Sequence, residues 1–305
     1  MSLIFVGYVI YSSRQQAKYQ EYLAEVATEE AAAAEAAGPE AEKTPSIEQA
    51  DTTAAVDRDV EIFGASLAAA RDRAAETVTM SNDYLTVEFS TAGASMHKVT
   101  LAEYTKYAPR EERNEKVVLY EPAPSHMALE FYIRNGLNNV PVNTSEYVFT
   151  NEGVTRGEGF QKLTMRLDVA PESYLLYEYV LYDEKVPSRD YLLDFDIKLV
   201  NMAQLMANQS TVNLLWTART YQNERGYQSE NMYTTVSYRF PGEESIESLS
   251  TGDGEKQETV QNAVNWVAFK QQFFSEALIA PANFSYADVM YVTEAEDSGY
   301  IKNFS

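Results

Sequence analysis

His97 and His126 are the chain's only histidines, so acid–base chemistry near neutral pH has to start with them. His97 lies in Met96-His97-Lys98 within a strand-like run, and His126 follows Pro124-Ser125 in a loop; neither sits beside a matched acid. A base without a positioned acid completes no proton relay, so both are read as structural or surface residues. Asp194-x-Asp196 places two carboxylates on one strand face without a further ligand loop, whereas calcium takes about six to eight oxygens. Asp253 and Glu255 fall in a glycine turn and read as solvated, and Gly157-x-Gly159 lacks the third glycine and the strand–helix setting of a dinucleotide loop. Asn143-Thr144-Ser145 and three similar triplets fit the glycosylation pattern, which is short enough to recur by chance. Trp216, the tyrosine of Tyr221-Gln222-Asn223 and Tyr227 could stack on a sugar, although core or rim packing is the plainer use of each. These residues define no catalytic centre, and neither metal nor cofactor is expected.

Composition narrows the partners. The formal net charge of −22 argues against nucleic acid, whose phosphates call for a clustered basic surface. Cysteine is absent, which removes disulfides, thiolate metal sites and thiol nucleophiles together. A hydrophobic content of 45% over 305 residues supports a real core, and 22 tyrosines suit half-exposed sheet faces where the ring packs and the hydroxyl stays wet.

Three segments differ in pattern. In residues 1–14 an apolar run carries Leu3, Ile4, Phe5, Val6, Val9 and Ile10, with its first charge at Arg14. As a helix it reaches about half of a ~30 Å hydrocarbon core. A clipped transmembrane anchor is the favoured reading; a signal-peptide core and an apolar strand are the alternatives, the first weakened because the basic residues follow the run instead of preceding it. Residues 15–77 read as an acidic spacer: an Ala/Glu/Gln-rich helical stretch, a Pro/Thr-containing flexible stretch, and a second helical patch from about Val60 to Glu76 with Ile62, Leu67 and Ala70 on one weak face. From Val78 to Ser305 the period changes to two. Leu85/Val87/Phe89, Met127/Leu129/Phe131/Ile133, Leu163/Met165/Leu167/Val169 and Leu193/Phe195/Ile197/Leu199 alternate with polar residues, as half-buried strands do. Asn135-Gly136, Asn151-Glu152-Gly153, Arg156-Gly157-Glu158-Gly159, Pro187-Ser188, Pro241-Gly242 and Gly252-Asp253-Gly254 are the expected turns. No long helical period is found here. The fold class is therefore all-β, an antiparallel sandwich or barrel larger than an immunoglobulin unit.

The run Asn265-Trp266-Val267-Ala268-Phe269-Lys270-Gln271-Gln272-Phe273-Phe274-Ser275, followed by Ala277-Leu278-Ile279-Ala280-Pro281, reads physically as an inner strand with Trp266, Phe273 and Phe274 buried. Its wording resembles a segment in the periplasmic domain of YidC-type membrane protein insertases. The strand from Val78 to Ser90, then Gly93 and Val99-Thr100-Leu101-Ala102-Glu103-Tyr104, is similar to the start of that domain, with Thr91-Ala92-Gly93-Ala94 where many members pair glycines. Gly93, Leu101, Tyr104, Trp266, Gln272, Phe273 and Phe274 carry the likeness. The resemblance implies a galactose-mutarotase-like β-supersandwich over 78–305, C-terminally incomplete, exposed in the periplasm and tethered to the inner membrane. It implies non-covalent work in insertion and folding of inner-membrane proteins, not enzymatic turnover. The implied partners are the lipid bilayer, the Sec translocon with its accessory proteins, and nascent membrane-protein clients reached through a membrane core that this sequence does not encode. A membrane-anchored carbohydrate-binding or mutarotase-like protein is the alternative.

Overall fold

The structure, a computed structural model, describes residues 59–107, 114–120, 125–183, 189–206, 209 and 211–305. The apolar run at 3–10 and the expected turn at Pro187-Ser188 lie outside the described residues.

Eighteen antiparallel strands form four sheets among the described residues. The first runs β1 (Thr77–Ser81), β2 (Leu85–Ser90), β3 (Ser95–Thr105), β4 (Lys116–Tyr120) in spatial order. The second has the order β10 (Leu193–Val200), β9 (Ser173–Tyr182), β8 (Phe160–Ala170), β7 (Thr150–Gly157). The third, the widest, is β14 (Glu255–Val260), β17 (Ala287–Thr293), β18 (Tyr300–Phe304), β11 (Asn213–Tyr221), β5 (His126–Asn135), β6 (Asn138–Asn143). The fourth is β13 (Glu247–Ser248), β12 (Thr235–Arg239), β15 (Val264–Lys270), β16 (Ser275–Phe284). The expected all-β supersandwich is thus the observed one.

Period-two alternation produces this arrangement because one face of each strand must leave water. Strand β8 buries every second residue, Leu163, Met165, Leu167 and Val169, and β2 does the same with Leu85, Val87 and Phe89. The β8–β9 register sets Leu163 opposite Tyr179, Met165 opposite Tyr177 and Leu167 opposite Leu175. Buried tyrosines need partners for their hydroxyls. Tyr179 donates to the Ala94 carbonyl at 2.7 Å and Tyr177 to Thr144 Oγ1 at 3.2 Å, so each ties the second sheet to a neighbouring segment. Two apolar clusters result: one fed by β1–β10, the other mainly by β11–β18 with Tyr120 and Met127. Met96, Val99, Phe195 and Leu214 pack against both.

Several local expectations change. Asn151-Glu152-Gly153 is a bulge inside β7, with Gly153 at φ 101, because the chain continues in the sheet instead of reversing. The alternating residues of β10 are only half-buried and Leu199 is 40% exposed, since β10 is an edge strand. His126 opens β5 instead of lying in a loop. A short helix, α2 (Tyr227–Tyr233), interrupts the β-pattern; its seven residues are too few to leave a readable 3.6 period.

The helical patch before the sheets also takes a different role. Residues 59–63 are helical, the chain breaks at Gly64, and α1 (Ala65–Arg71) follows. Leu67 and Ala70 are fully buried in the first core, and the Ala70 carbonyl accepts from Val148 N at 2.8 Å. Of the spacer expected over 15–77, residues 15–58 lie outside the described residues, and its C-terminal end carries a packed helix. Replacing Leu67 with Ala should destabilise the β-domain by ~2–4 kcal/mol in urea denaturation, while Ile62→Ala, at a position 43% exposed, should stay within ~0.5 kcal/mol. Equal, small effects would mean that α1 is a tethered spacer.

Candidate functional site

Gly93 begins the site. It sits at φ 69, and a Cβ there would meet Ser145 Cα at 3.1 Å, so the turn into β3 tolerates little else. Beyond that turn Leu101 is buried, while the end of β3 carries Tyr104 past the core to 45% exposure. The backbone then binds the third sheet's flank: Tyr107 N donates to the Asn223 carbonyl at 2.8 Å.

Asn223 is one member of a buried polar junction. Glu230, 1% exposed on α2, accepts hydrogen bonds from Asn223 N at 3.1 Å and Glu224 N at 3.0 Å. Burial pushes the Glu230 carboxyl up from its ordinary pKa, opposed by these two bonds. The Asn223 side chain donates to Gln271 Oε1 at 2.9 Å, and Gln271 N closes a turn onto the Phe274 carbonyl at 2.8 Å. At the other end of α2, Lys302 Nζ, fully buried, donates to the Thr234 carbonyl at 2.6 Å and lies 3.8 Å from the Tyr291 ring centre. Desolvation draws its pKa down to about 8.

This junction decides where the aromatic run goes. Strand β15 ends at Lys270, so Gln271–Phe274 is a hairpin turn and not a continuation of the strand. The buried aromatic of the run is Phe269, stacked on Trp216 at 3.9 Å and on Phe304 at 4.8 Å. Trp266 is half-buried with Arg239 5.9 Å from its ring centre, Gln272 and Phe274 are half-buried, and Phe273 is 67% exposed. The expectation of a buried Trp266, Phe273 and Phe274 is corrected accordingly: the turn lifts Phe273 out of the sheet. Gln271, 2% exposed, does the anchoring, and Gln272 beside it does not.

Turn and strand end meet. Tyr104 and Phe274 make an edge-to-face contact at 5.5 Å, and both line a cleft of about 820 Å³ in the seam between the two cores. Tyr104, Tyr191 and Phe273 form its exposed aromatic rim. Deeper residues include Leu101, Phe195 and Leu278, with Tyr120, Trp216 and Glu276 among them, of which the Tyr120 hydroxyl, Trp216 Nε1 and Glu276 Oε1 are closed off from solvent. These three buried atoms have no hydrogen-bond partner among the described residues. Desolvation drives the Glu276 carboxyl up to about 8, so at neutral pH it holds its proton, and the same burial together with the nearby Glu276 carboxyl raises Tyr120. Of the seven motif residues, Leu101, Tyr104, Phe273 and Phe274 line the cleft, Gly93 starts the strand that delivers two of them, and Trp266 and Gln272 lie outside its lining.

Sequence reasoning missed Glu276 and Tyr120. Glu276 was findable: period two along β16 puts it on the face of Leu278, a carboxyl at an apolar position. The groups weighed for chemistry stay apart from the cleft, Trp216 excepted. His126 shares a 3.0 Å hydrogen bond between Nδ1 and Thr217 Oγ1, and neither histidine lines the cleft. Asp194 pairs with Arg189 at 3.0 Å and accepts from Tyr182 at 2.6 Å; Asp253 accepts from Asn231 at 2.7 Å. Tyr221 stacks on Tyr300 at 4.7 Å, and Tyr227 is buried. No cluster of three or more carboxylates and histidines is placed to hold a metal among the described residues.

Fold and site together define a large antiparallel β-domain with an apolar, aromatic-rimmed cleft. The family profile described as the YidC periplasmic domain matches residues 77–305, and the chain belongs to that family. Among curated proteins it is similar to the membrane protein insertase YidC of Bacteroides fragilis, 29% identical over 228 residues covering 74% of this chain and 34% of the relative. The Porphyromonas gingivalis protein of the same name is 29% identical over 238 residues, covering 78% of this chain and 35% of the relative. The chain thus spans about a third of the length of the curated relatives it matches. A solved galactose mutarotase-like protein from Lactobacillus casei shows 11% identity and a TM-score of 0.43, covering 75% of this chain and 87% of that one.

The raised Glu276 pKa has a signed consequence. The unfolded chain releases this proton near its ordinary value of 4.5 and the folded chain near 8, so between those values the folded state binds more protons and stability falls as pH rises. Glu276→Gln should lack that part of the decline and exceed the parent by about 1–3 kcal/mol at pH ~8.5, with little difference at pH ~4, in urea denaturation. Parallel stability curves for the two proteins would show that the carboxyl is solvated.

Proposed function

We propose that this chain is the periplasmic domain of a membrane protein insertase, tethered to the inner membrane and assisting the insertion and folding of inner-membrane proteins without covalent chemistry. The observation that carries the proposal is the family match over residues 77–305; four of the seven motif residues, Leu101, Tyr104, Phe273 and Phe274, line one cleft. Relatives bearing the insertase name support the same role, and the segment they match is about a third of their length. No helix among the described residues is long and apolar enough to cross a membrane. In this reading the apolar run at 3–10 supplies the tether, and the acidic residues that follow hold the β-domain off the bilayer surface. Partner docking, with the Sec translocon as the expected partner, then falls to the β-domain's surface, where the exposed aromatics Tyr104, Tyr191 and Phe273 are suited to protein contact.

The test uses the gene product tagged in its native reading frame. It should fractionate with inner membranes, become protease-accessible once the outer membrane is permeabilised, and co-purify with Sec translocon subunits from mild detergent. A protease-protected cytoplasmic product would overturn the localisation, and membrane recovery without any translocation component would overturn the docking role.

A further inference from the structure

A second opening, of about 460 Å³, lies within the third sheet. Strand β18 separates β17 from β11 there, but it is too short to line either neighbour fully. It pairs with Ala218–Tyr221 of β11 and with Tyr291–Thr293 of β17, and Ser305 adds two backbone bonds to Met290, at 2.7 and 3.0 Å. Earlier on β11, Asn213–Trp216 pair with β5 along one edge; earlier on β17, Ala287–Val289 pair with β14 along one edge. The other edges of these two stretches face the opening, with Ser305 at its head and no strand between them among the described residues. Two edges left unpaired on either side of one gap are the outline of a missing strand, as long as the stretch Asn213–Trp216.

The neighbours fix the direction and the pattern of that strand. Both β11 and β17 run antiparallel to β18, so a strand antiparallel to both runs as β18 does and begins where Ser305 ends. A segment of another molecule would drive its preceding residues into Ser305, whereas polypeptide joined to Ser305 meets no such clash. Ala218 and Tyr291 flank Phe304, whose ring stacks on Phe269 at 4.8 Å. Side chains two apart share a face, so the first residue past Ser305 falls between Trp216 and Val289 and the third between Leu214 and Ala287, on the face of Phe304. On that face Val267, Phe269 and Leu278 of the fourth sheet line the opening. These two positions call for apolar side chains, and the second, beside the exposed Asp288, for one at home in water.

We propose that the opening is the seat of residues that continue the polypeptide past Ser305, laid as a further stretch of β18 between β11 and β17 with apolar side chains at its first and third positions. The curated relatives, of whose length this chain spans about a third, have residues enough to supply such a stretch. Trp216 and Leu278 line both this opening and the aromatic-rimmed cleft. The added strand therefore backs a wall of the cleft and ties whatever follows it in the chain to that wall. The placement rests on strand register alone and is independent of the insertase reading.

The experiment extends the 305-residue chain past Ser305 by Val-Thr-Val-Thr or by Thr-Val-Thr-Val, in a Trp266→Phe background that leaves Trp216 as the sole tryptophan. In urea denaturation the first extension should raise the folding equilibrium constant about tenfold or more over the unextended chain, because two valines leave water and the open edges gain a partner. Acrylamide quenching of Trp216 should fall with it. The transposed extension turns its valines to the outer face and should change neither readout by as much. Equal effects of the two extensions, or no effect of either, would overturn the proposal. So would an unextended chain that sediments as a dimer and stays dimeric with Val-Thr-Val-Thr attached, since a second copy would then hold the opening. A native reading frame that stops at Ser305, or that places proline or a charged residue first or third after it, would overturn it as well.

Discussion

Glu230 is a carboxylate with almost no access to water, and a group of that kind persists in a fold only when donors are fixed around it. Here they are two consecutive backbone amides, those of Asn223 and Glu224, which bend the chain after β11 into the short helix that holds the glutamate. Once that bend is set, the Asn223 side chain faces Gln271 and its carbonyl faces Tyr107. One junction therefore fixes three segments far apart in sequence: the end of β3, the turn after β11 and the turn after β15. The buried ammonium of Lys302 closes the same region from the opposite end of the helix, donating to the Thr234 carbonyl just past the last helical residue.

The cleft is a consequence of that constraint. Sheets that end against one another without pairing leave a seam, and side chains from both cores reach into it without filling it. With the 271–274 turn pinned at Gln271, Phe274 lies against Tyr104 and Phe273 projects to solvent. A free turn would be expected to fold its two phenylalanines into the seam, because burying them is worth about 1.5–3 kcal/mol each. The polar junction holds them at the rim instead, so the apolar gap stays open beneath an aromatic edge.

Much of this was legible in the chain. Alternating runs such as Leu163–Val169 state both the strand and its buried face, and Asn135-Gly136 and Gly157-Glu158-Gly159 mark real hairpins. Two of the residues on which the family likeness rested meet in space, Tyr104 and Phe274 being in contact although 170 positions separate them in sequence. What could not be read was tertiary in origin. Gln271-Gln272-Phe273-Phe274 continues a β-rich pattern, and only the pairing of Gln271 N with the Phe274 carbonyl turns it into a reversal. Asn151-Glu152-Gly153 carries turn residues that the neighbouring strand absorbs as a bulge. Which of the two glutamines is buried depends on Asn223, 48 residues away in sequence.

The claim that the buried junction positions the aromatic turn is tested most directly by a double-mutant cycle on Asn223→Ala and Gln271→Ala, read by urea denaturation. Two side chains sharing one buried hydrogen bond should show a coupling energy of about 1 kcal/mol or more. Additive losses, with coupling within about 0.3 kcal/mol of zero, would show that the turn holds its place without the junction and would contradict the account.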